Sequence, residues 1–334
     1  MALANTCDTI TAEDGEYAAS RCTVELGRLA GKTVLVTGAT GFVGGSIADA
    51  LLAFNARAPV PCRLLLATRS IDKARAVRPD LNGAPGVKWV EWREGSRLAD
   101  VPESCEYIVH AAGSRESARQ MVSLTADVVD WAKRHGTESL LLLSSGAIYG
   151  RQPNGMATIP ESYVGVPDTD YGEAKRQCEA LCAASGVHFA SARLFACYGP
   201  RQALNCGLAI PDFFRQLLST GRIEVASDGH ARRAFSYISD VAIVLLKLLA
   251  RGSPGAPACN VGADSPVVSI AELARLVAQA WGGADVVVQG GSADTIRPRY
   301  VPDVSRMKTL HSPEIGLEAG LRRMAGYLQQ GAHR

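Results

Sequence analysis

The feature that most constrains the fold is a set of three glycines spaced three residues apart, at positions 38, 41 and 44. They follow the apolar stretch Thr33–Thr37, which has the length and composition of a buried strand. Apolar residues then recur at helical spacing from 42 to 51, so the pattern predicts a strand, a glycine turn and a helix. Such a turn lets the backbone approach a pyrophosphate at a helix N-terminus, where the dipole stabilises negative charge. The segment predicts a dinucleotide site, and a tight turn without a ligand is the alternative.

The strand and helix pattern continues along the first two thirds of the chain. Apolar stretches predict further strands at 63–67, 87–92, 107–111 and 139–143, and helical periodicity predicts a helix around 120–133. Strands that alternate with helices are typical of a parallel, doubly wound α/β sheet. After Pro200 the pattern loosens into helices, short strands and Pro- and Gly-rich connections, which favours an appended smaller domain.

Composition narrows the class of partner. The 334 residues carry a net charge of +2 with 20% charged residues, so no strongly basic face indicates nucleic acid, and a small-molecule partner is expected. The N-terminus lacks a signal-peptide pattern, and the longest apolar stretch, 241–250, is short and contains Lys247, so no membrane segment is expected. Nine scattered cysteines suit a reducing compartment and predict neither disulfides nor a metal site. We expect a cytoplasmic protein.

The end of the second strand predicts which dinucleotide is bound. An acidic residue there usually contacts the ribose hydroxyls of NAD, whereas this strand ends Thr68-Arg69-Ser70. The Arg69 guanidinium can contact the extra phosphate of NADP, with Lys73 nearby to add positive charge. The sequence therefore favours NADP, with NAD as the alternative if Arg69 is only a solvated loop residue.

A candidate catalytic group lies in the segment that begins at Asp170. Tyr171 and Lys175 are four residues apart, on one face of a predicted helix. A tyrosine normally titrates near pH ~10, but an adjacent cation favours its phenolate, and Lys175 can also bind the nicotinamide ribose. The preceding strand ends with Ser145, and doubly wound sheets place active sites at the carboxyl ends of their strands. We predict Ser145, Tyr171 and Lys175 as catalytic, with a pair of surface residues as the alternative.

At this point the sequence resembles the extended short-chain dehydrogenase/reductase family, especially its nucleotide-sugar epimerases, dehydratases and ketoreductases. The matching motifs occur in family order from about residue 31 to 330: 37–44, Val109-His-Ala-Ala112, Ser144-Ser-Gly-Ala-Ile-Tyr-Gly150, Tyr171 to Lys175, Arg193-Leu-Phe-Ala-Cys-Tyr-Gly-Pro200, Ser227-Asp-Gly229, Arg233-Ala-Phe-Ser-Tyr237 with Asp240, and Asn260-Val-Gly262. The resemblance implies a Rossmann-type doubly wound sheet with a smaller C-terminal α/β substrate domain, and the same catalytic trio.

Together with this resemblance, the motifs define the predicted sites and domains. The predicted cofactor-binding residues are Gly38, Thr40, Gly41, Phe42, Val43, Gly44, Arg69, Ala111, Ala112, Tyr171 and Lys175. We predict an N-terminal extension at 1–28, whose function the residues do not indicate. We also predict a dinucleotide-binding domain at 29–200 to which 237–262 returns, and a substrate domain at 201–236 and 263–330. The resemblance suggests a homodimer.

Substrate contacts are also implied by the resemblance. Besides Ser145, Arg233 matches the family arginine that meets the nucleotide diphosphate, and Arg299 or Arg297 fits a second cation. Met121 and Ala196 stand where the family usually has asparagines, so the substrate is expected to be unusual.

The residues after Ser145 bear on which reaction is carried out. The 4,6-dehydratases carry an Asp-Glu pair there and the uronate decarboxylases keep a Glu, whereas this chain has Gly146-Ala147. Without a carboxylate to move the extra proton, dehydration and decarboxylation are less favoured. Reduction of a 4-keto nucleotide sugar by NADPH and 4-epimerisation with retained NAD remain, and Arg69 favours reduction. A non-catalytic dinucleotide-binding protein is a further alternative, but the retained Tyr171 and Lys175 argue against it.

Overall fold

The computed structural model describes residues 6–93, 104–113, 117–252, 258–290 and 299–331. The strands in this part of the chain are β1 Thr33–Thr37, β2 Arg63–Thr68, β3 Val87–Glu91, β4 Tyr107–His110, β5 Ser139–Ser145, β6 Phe189–Leu194, β7 Cys197–Tyr198, β8 Ile223–Val225, β9 Arg232–Arg233, β10 Ser236–Tyr237, β11 Cys259–Val261, β12 Val268–Ser269, β13 Val286–Val288 and β14 Arg299–Tyr300. The helices are α1 Thr6–Ser20, α2 Thr23–Gly27, α3 Phe42–Asn55, α4 Ile71–Val77, α5 Ala118–Arg134, α6 Asp170–Ala183, α7 Ala209–Thr220, α8 Ile238–Arg251, α9 Ile270–Trp281, α10 Ser305–Lys308 and α11 Leu317–Gly331.

A seven-stranded parallel sheet forms the centre, in the order β11-β6-β5-β4-β1-β2-β3. The strand order reverses between β1 and β4, because successive crossovers run outward in both directions from β1. This confirms the predicted doubly wound fold. In such sheets the crevice at the point of reversal, beyond the carboxyl ends of the strands, is where ligands bind.

Each face of the sheet is buried under helices. Alternate side chains of β1, such as Leu35 on one face and Val36 on the other, belong to two separate apolar clusters. One cluster joins the sheet to α5 and α6, and it includes Trp131, which is fully buried. The other joins it to α3 and α8 and continues into the C-terminal half. Both faces are covered, which explains why the strands are apolar throughout rather than alternating.

The C-terminal half contains small sheets and helices packed beside the main sheet. β8 pairs with β13, and β9 lies between β12 and β14. After α8, strand β11 returns to the main sheet and pairs in parallel with β6. The division into dinucleotide and substrate domains stays a prediction.

The N-terminal residues form two helices that pack on the rest of the protein. Helix α1 contacts α3, α8 and α11, and α2 contacts α8. Ala18, Cys22, Leu26 and Leu29 are buried in the larger apolar cluster. The extension is therefore part of the core of the molecule.

Two features of the described residues bear on the expected partners. None of the helices there is long and apolar enough to cross a membrane. No group of three or more His, Cys, Asp or Glu side chains in these ranges lies close enough to hold a metal ion.

Candidate active site

The glycine turn between β1 and α3 has a shape that only glycine accommodates. Gly38 has φ +71°, and a Cβ atom there would lie 2.9 Å from the carbonyl group of Ala111. A Cβ on Gly44 would overlap the carbonyl oxygen of Gly38, and the amide of Gly41 donates to that same oxygen at 2.9 Å. Gly41 is the N-cap of α3, and no side chain caps this helix. The free helix N-terminus at the strand end fits a pyrophosphate.

A cleft of about 400 Å³ runs from this turn across the carboxyl ends of β1, β2 and β4. It is lined by six of the predicted cofactor residues: Gly38, Thr40, Gly41, Arg69, Ala111 and Ala112. Phe42 and Val43 pack against the core instead, and Gly44 is buried beneath the turn. Trp92, Gly113, Gln120 and Leu124 also line the cleft, and no motif in the sequence indicated them.

The far end of the cleft is positively charged. Arg69 and Lys73 are exposed there and line it, directly after β2. The Ser70 side chain caps α4 by accepting from the amide of Lys73 at 3.4 Å, which fixes the turn that carries both cations. Arg69 and Ser70 directly follow Thr68 at the end of this strand, and the first acidic residue after it is Asp72, in the first turn of α4.

The three residues predicted as catalytic come from β5 and α6. Ser145 is the last residue of β5, and its Oγ accepts from the amide of Ala147 at 3.2 Å. Tyr171 lies in the first turn of α6, with the Lys175 Nζ 5.8 Å from the centre of its ring. Lys175 is buried and donates to the carbonyl oxygen of Leu143 at 2.6 Å. The ammonium group thus lies between the Tyr171 ring and the end of β5.

Lys175 also approaches the cleft. Its Nζ lies 3.7 Å from the position that a Cβ atom on Gly113 would occupy, and Gly113 lines the cleft. Met121, which stands where the family usually has an asparagine, is buried beside Gly113 and also lines the cleft. Lys175 is therefore close to the cleft, whereas Ser145, Tyr171 and Lys175 are not among the residues that line it.

A buried polar network holds α6 in place, and the sequence analysis did not identify it. Glu179, one turn after Lys175, pairs with Arg193 of β6 at 2.7 Å. Arg193 also donates to the Tyr149 hydroxyl at 2.8 Å, which in turn donates to Asn260 at 2.8 Å. Burial opposes ionisation of Glu179, but the hydrogen bonds and charge of Arg193 hold its pKa below the ordinary value. The network joins α6, β5, β6 and β11 around the predicted catalytic residues.

His110, the last residue of β4, is buried between β1 and α5. Its ring nitrogens lie 2.9 Å from the Thr37 hydroxyl and 3.0 Å from the Thr125 hydroxyl. Burial, together with the charge of Lys175, lowers its pKa to about 3, so the imidazole is neutral. The Thr37 hydroxyl also accepts from the amide of Ala112 at 3.0 Å, which fixes the backbone beside the cleft.

The position after Ser145 has no room for a side chain. A Cβ atom on Gly146 would overlap the Tyr300 hydroxyl and lie 2.7 Å from the Phe195 ring. The Phe195 and Tyr300 rings pack together, with their centroids 4.6 Å apart. The Tyr300 hydroxyl therefore occupies the space in front of Gly146, next to Ser145. The sequence analysis did not identify Tyr300 as a site residue, because no local pattern connects it to residue 146.

The two arginines predicted to bind substrate project in different directions. In the small sheet Tyr300 is in register with Arg233, and Arg299 is in register with Arg232. Residues in register share a face, so Arg233 lies beside Tyr300, with its Cζ 5.9 Å from that ring, whereas Arg299 points to the other face. Arg299 donates to the carbonyl of Ala157 at 2.8 Å. Of Arg233 and Arg299, Arg233 is therefore the one on the same face of the small sheet as Tyr300, whose hydroxyl lies against Gly146.

Arg297, the other candidate for the second cation, lies outside the described residues.

Comparisons with known proteins show which family and which folds this chain is similar to. The model of the NAD dependent epimerase/dehydratase family matches residues 34–262. A UDP-glucuronic acid decarboxylase of Xenopus tropicalis is 31% identical over 62% of this chain, and the match spans half of its own length. A dTDP-4-dehydro-6-deoxy-D-allose reductase of Streptomyces is 26% identical over 89% of this chain and 96% of its own. The fold is similar to that of a UDP-glucuronic acid 4-epimerase from Bacillus cereus in complex with UDP-glucuronic acid and NAD, with a TM-score of 0.76 and 21% identity over 89% of this chain and 99% of that one.

Proposed function

The chain belongs to the NAD dependent epimerase/dehydratase family, and on that premise we propose that it reduces a 4-keto nucleotide sugar with NADPH. The family relatives include nucleotide-sugar reductases, epimerases and decarboxylases. Two regions decide among these reactions. The residues after β2 bear on which dinucleotide is bound, and the residues around Gly146 bear on which acid and base groups are available.

The observation that carries the choice of NADPH is the positive end of the cleft. Arg69 and Lys73 are exposed there, and the strand that leads to them ends without an acid. A planar guanidinium can bind the 2′-phosphate of NADP with two parallel hydrogen bonds. NADPH is exchanged after each net reduction, so a site that selects it suits a reductase.

The filled space at Gly146 argues against elimination. Dehydration and decarboxylation need a further group to take or return a proton, and the family places a carboxylate in this segment. Here the Tyr300 hydroxyl and the Phe195 ring occupy the space that a side chain at residue 146 would need. One proton donor, Tyr171, is sufficient for chemistry at a single carbinol carbon.

Each residue of the trio has a defined task in this proposal. When bound, the nicotinamide supplies a hydride to C4 of the keto sugar. Tyr171 donates its phenolic proton to the carbonyl oxygen, so that the C=O double bond becomes a C–OH bond with no other atom lost. Lys175 stabilises the resulting phenolate, and Ser145 holds the oxygen by a hydrogen bond. Arg233 binds the diphosphate of the substrate, while Arg299 stays a weaker candidate for that contact.

The second candidate is 4-epimerisation with retained NAD. The same trio serves it, because Tyr171 would remove the proton from the C4 hydroxyl and later return it to the same oxygen. The absence of a side chain at Gly146 is equally compatible with this reaction. The fold similarity to a 4-epimerase supports it as well.

The test is to identify the dinucleotide that co-purifies by mass spectrometry and then to supply substrates. We expect a dTDP-linked 4-keto-6-deoxy sugar to be reduced with loss of NADPH absorbance at 340 nm. Isomerisation of a 4-hydroxy nucleotide sugar without net consumption of NADPH would instead establish epimerisation. Release of carbon dioxide from UDP-glucuronic acid would contradict both. Light scattering on the same preparation tests the proposed homodimer.

A further inference from the structure

A buried arginine supports the glycine turn from behind. The Arg78 side chain is 1% exposed, and its Nη1 donates to the carbonyl of Ala39, inside the turn, at 3.3 Å. Its Nη2 binds Asp49 of α3 at 2.6 Å and Asp80 at 2.7 Å. A Cβ atom on Gly45 would come within 3.4 Å of both Arg78 Nη1 and the Ala39 oxygen, so this glycine borders the same contact. Arg78 therefore connects the turn to the body of α3.

The Arg78 contacts extend to the N-terminal helix. Asp49 also forms an ion pair with Arg201, which follows the turn after β7. Arg201 has φ +63°, a conformation that costs free energy in a residue with a side chain and that must be held by its surroundings. Its Nη2 donates to the Thr11 hydroxyl of α1 at 3.1 Å. A continuous chain of polar contacts thus runs from Thr11 to Ala39.

Helix α1 also covers this chain directly. A Cβ atom on Gly15 would lie 2.8 Å from the carbonyl oxygen of Asp49, so the backbones of α1 and α3 are in close contact at that residue. The Asp49 side chain is only 10% exposed as a result. The position of α1 determines how the Asp49 carboxylate is shielded and oriented.

Stability alone is a poor reason for burying these charges. Removing the charged groups of Arg78, Arg201 and Asp49 from water costs about as much free energy as their mutual attraction returns. Apolar side chains of similar volume often give a more stable protein. The best-attested benefit of such a group is that it fixes one geometry among several. The geometry fixed here is that of Ala39, whose neighbours Gly38, Thr40 and Gly41 line the cleft.

We propose that Arg78 is a positioning residue for the dinucleotide, and that α1 completes the cofactor site by holding Arg201 and Asp49 behind the turn. The inference rests on the proposed binding of a nicotinamide dinucleotide at this turn. It assigns a role to a segment that lies outside the family match, which begins at residue 34. Arg78 acts through the backbone of Ala39 and does not itself line the cleft.

The first test uses Arg78→Lys, which keeps the charge but cannot reach all the present acceptors. Binding of NADPH and of NADH is titrated by fluorescence with the full-length protein. We expect the Kd of the preferred dinucleotide to rise about tenfold, the usual effect of losing one charge-assisted hydrogen bond. Hydrogen exchange should accelerate in peptides covering residues 36–45 and stay unchanged in peptides covering 189–194. Uniform acceleration would signal general loosening and overturn the proposal.

The second test reaches the site from α1. Gly15→Ala inserts a methyl group against Asp49, and we expect the Kd to rise about threefold, a smaller effect because the helix can shift by a few tenths of an ångström. Gly27→Ala in α2 is the matched control, since a Cβ atom there meets no atom within 4 Å, and it should bind like the unmodified protein. If Arg78→Lys does not fold, the dinucleotide Kd of Gly15→Ala and of Thr11→Val tests the proposal instead. Wild-type affinity in these variants contradicts the proposal.

These outcomes separate the inference from the proposed function. An unmodified protein that binds neither NADPH nor NADH would remove the proposed function. Unmodified protein that binds one of them, together with variants that bind equally well, would remove only the role of Arg78 and α1.

Discussion

The two sides of the cleft are built in different ways. The pyrophosphate and ribose end of the cofactor side consists of β1, the glycine turn, the start of α3 and the end of β2, all within residues 33–73, and the backbone at Gly38 and Gly44 restricts its shape. The proposed substrate side combines residues that are up to 155 positions apart (300 minus 145), and side-chain packing brings Tyr300 against Gly146 and Arg233 beside Tyr300.

This difference teaches how one fold hosts several reactions. A backbone turn that binds pyrophosphate tolerates few changes, because a Cβ atom on Gly38 or Gly44 collides with neighbouring backbone. The substrate side depends on side chains. Where the dehydratases and decarboxylases of the family carry a carboxylate, this chain has Gly146, with the Tyr300 hydroxyl against it. This difference alters which proton transfers are available. The reaction therefore varies more readily than the cofactor. The predictions below test this contrast, beginning with the largest expected effect.

Tyr171→Phe removes the proposed proton donor on the substrate side and leaves the cofactor side intact. We expect turnover to fall at least about 100-fold, the usual effect of removing a general acid, with the dinucleotide Kd within about twofold. Steady-state kinetics and fluorescence titration measure the two quantities. Tyr163→Phe is the control, since this ring packs against Tyr149 and carries no proposed role in proton transfer. Turnover that survives in the Tyr171 variant removes the mechanism.

Glu179→Gln leaves Arg193 buried without its charge partner, so we expect about 3 kcal/mol of destabilisation at pH 7. The pKa of Glu179 is lowered in the folded protein, so its stabilising contribution is present above the unfolded value of about 4.3. It is lost as the pH falls through the folded pKa.

Urea unfolding of both proteins between pH 7 and 3 checks this, and the difference should narrow below pH ~4. Glu173→Gln is the control on the same helix, because that side chain pairs with Arg176 at the surface and should matter little. If the difference in unfolding free energy between Glu179→Gln and the unmodified protein is the same at every pH, the ionised Glu179 side chain is not its cause.

Gly146→Ala tests whether Tyr300 and Phe195 occupy the space that a side chain at residue 146 would need. The added methyl group collides with both rings, so we expect about 2 kcal/mol of destabilisation in chemical unfolding. Gly316→Ala is the matched control, since a Cβ atom there meets no atom within 4 Å, and its effect should stay within about 0.5 kcal/mol. Equal stability of the two variants would mean that residue 146 has room for a carboxylate.

Arg69→Ala tests the cofactor side alone. The Kd of NADP should rise about tenfold and that of NAD stay within about twofold, because only NADP carries the phosphate that Arg69 is proposed to bind. Arg75→Ala on α4 is the control, since Arg75 does not line the cleft. Equal losses for both dinucleotides would show that Arg69 does not distinguish them.

Local patterns in the sequence predicted five of the seven strands of the central sheet, β1 to β5, and did not predict β6 or β11. The structure has β1 at Thr33–Thr37, as predicted, and the helix predicted around 120–133 is Ala118–Arg134. Apolar periodicity and glycine spacing reflect contacts within one element or between neighbours, so they can be recognised without knowing the fold. The family motifs located the candidate trio in the same way.

The N-terminal extension illustrates what such patterns miss. Its residues indicated no function, yet Asp14 is buried and accepts from the Tyr237 hydroxyl at 2.7 Å and from Arg323 at 3.0 Å. Partners more than 200 positions away leave no trace in the local sequence. The same holds for Arg78, whose role depends on where α3 and the glycine turn lie around it.

The sequence by itself determined the parallel sheet, the glycine turn and the positions of Tyr171, Lys175 and Ser145, because these depend on local conformation and spacing. Tertiary structure alone decided that Tyr300 closes the space at Gly146, that Glu179 and Arg193 secure α6, and that α1 reaches Asp49 behind the turn. Those outcomes follow from which remote side chains share one buried volume, and only the folded chain determines that.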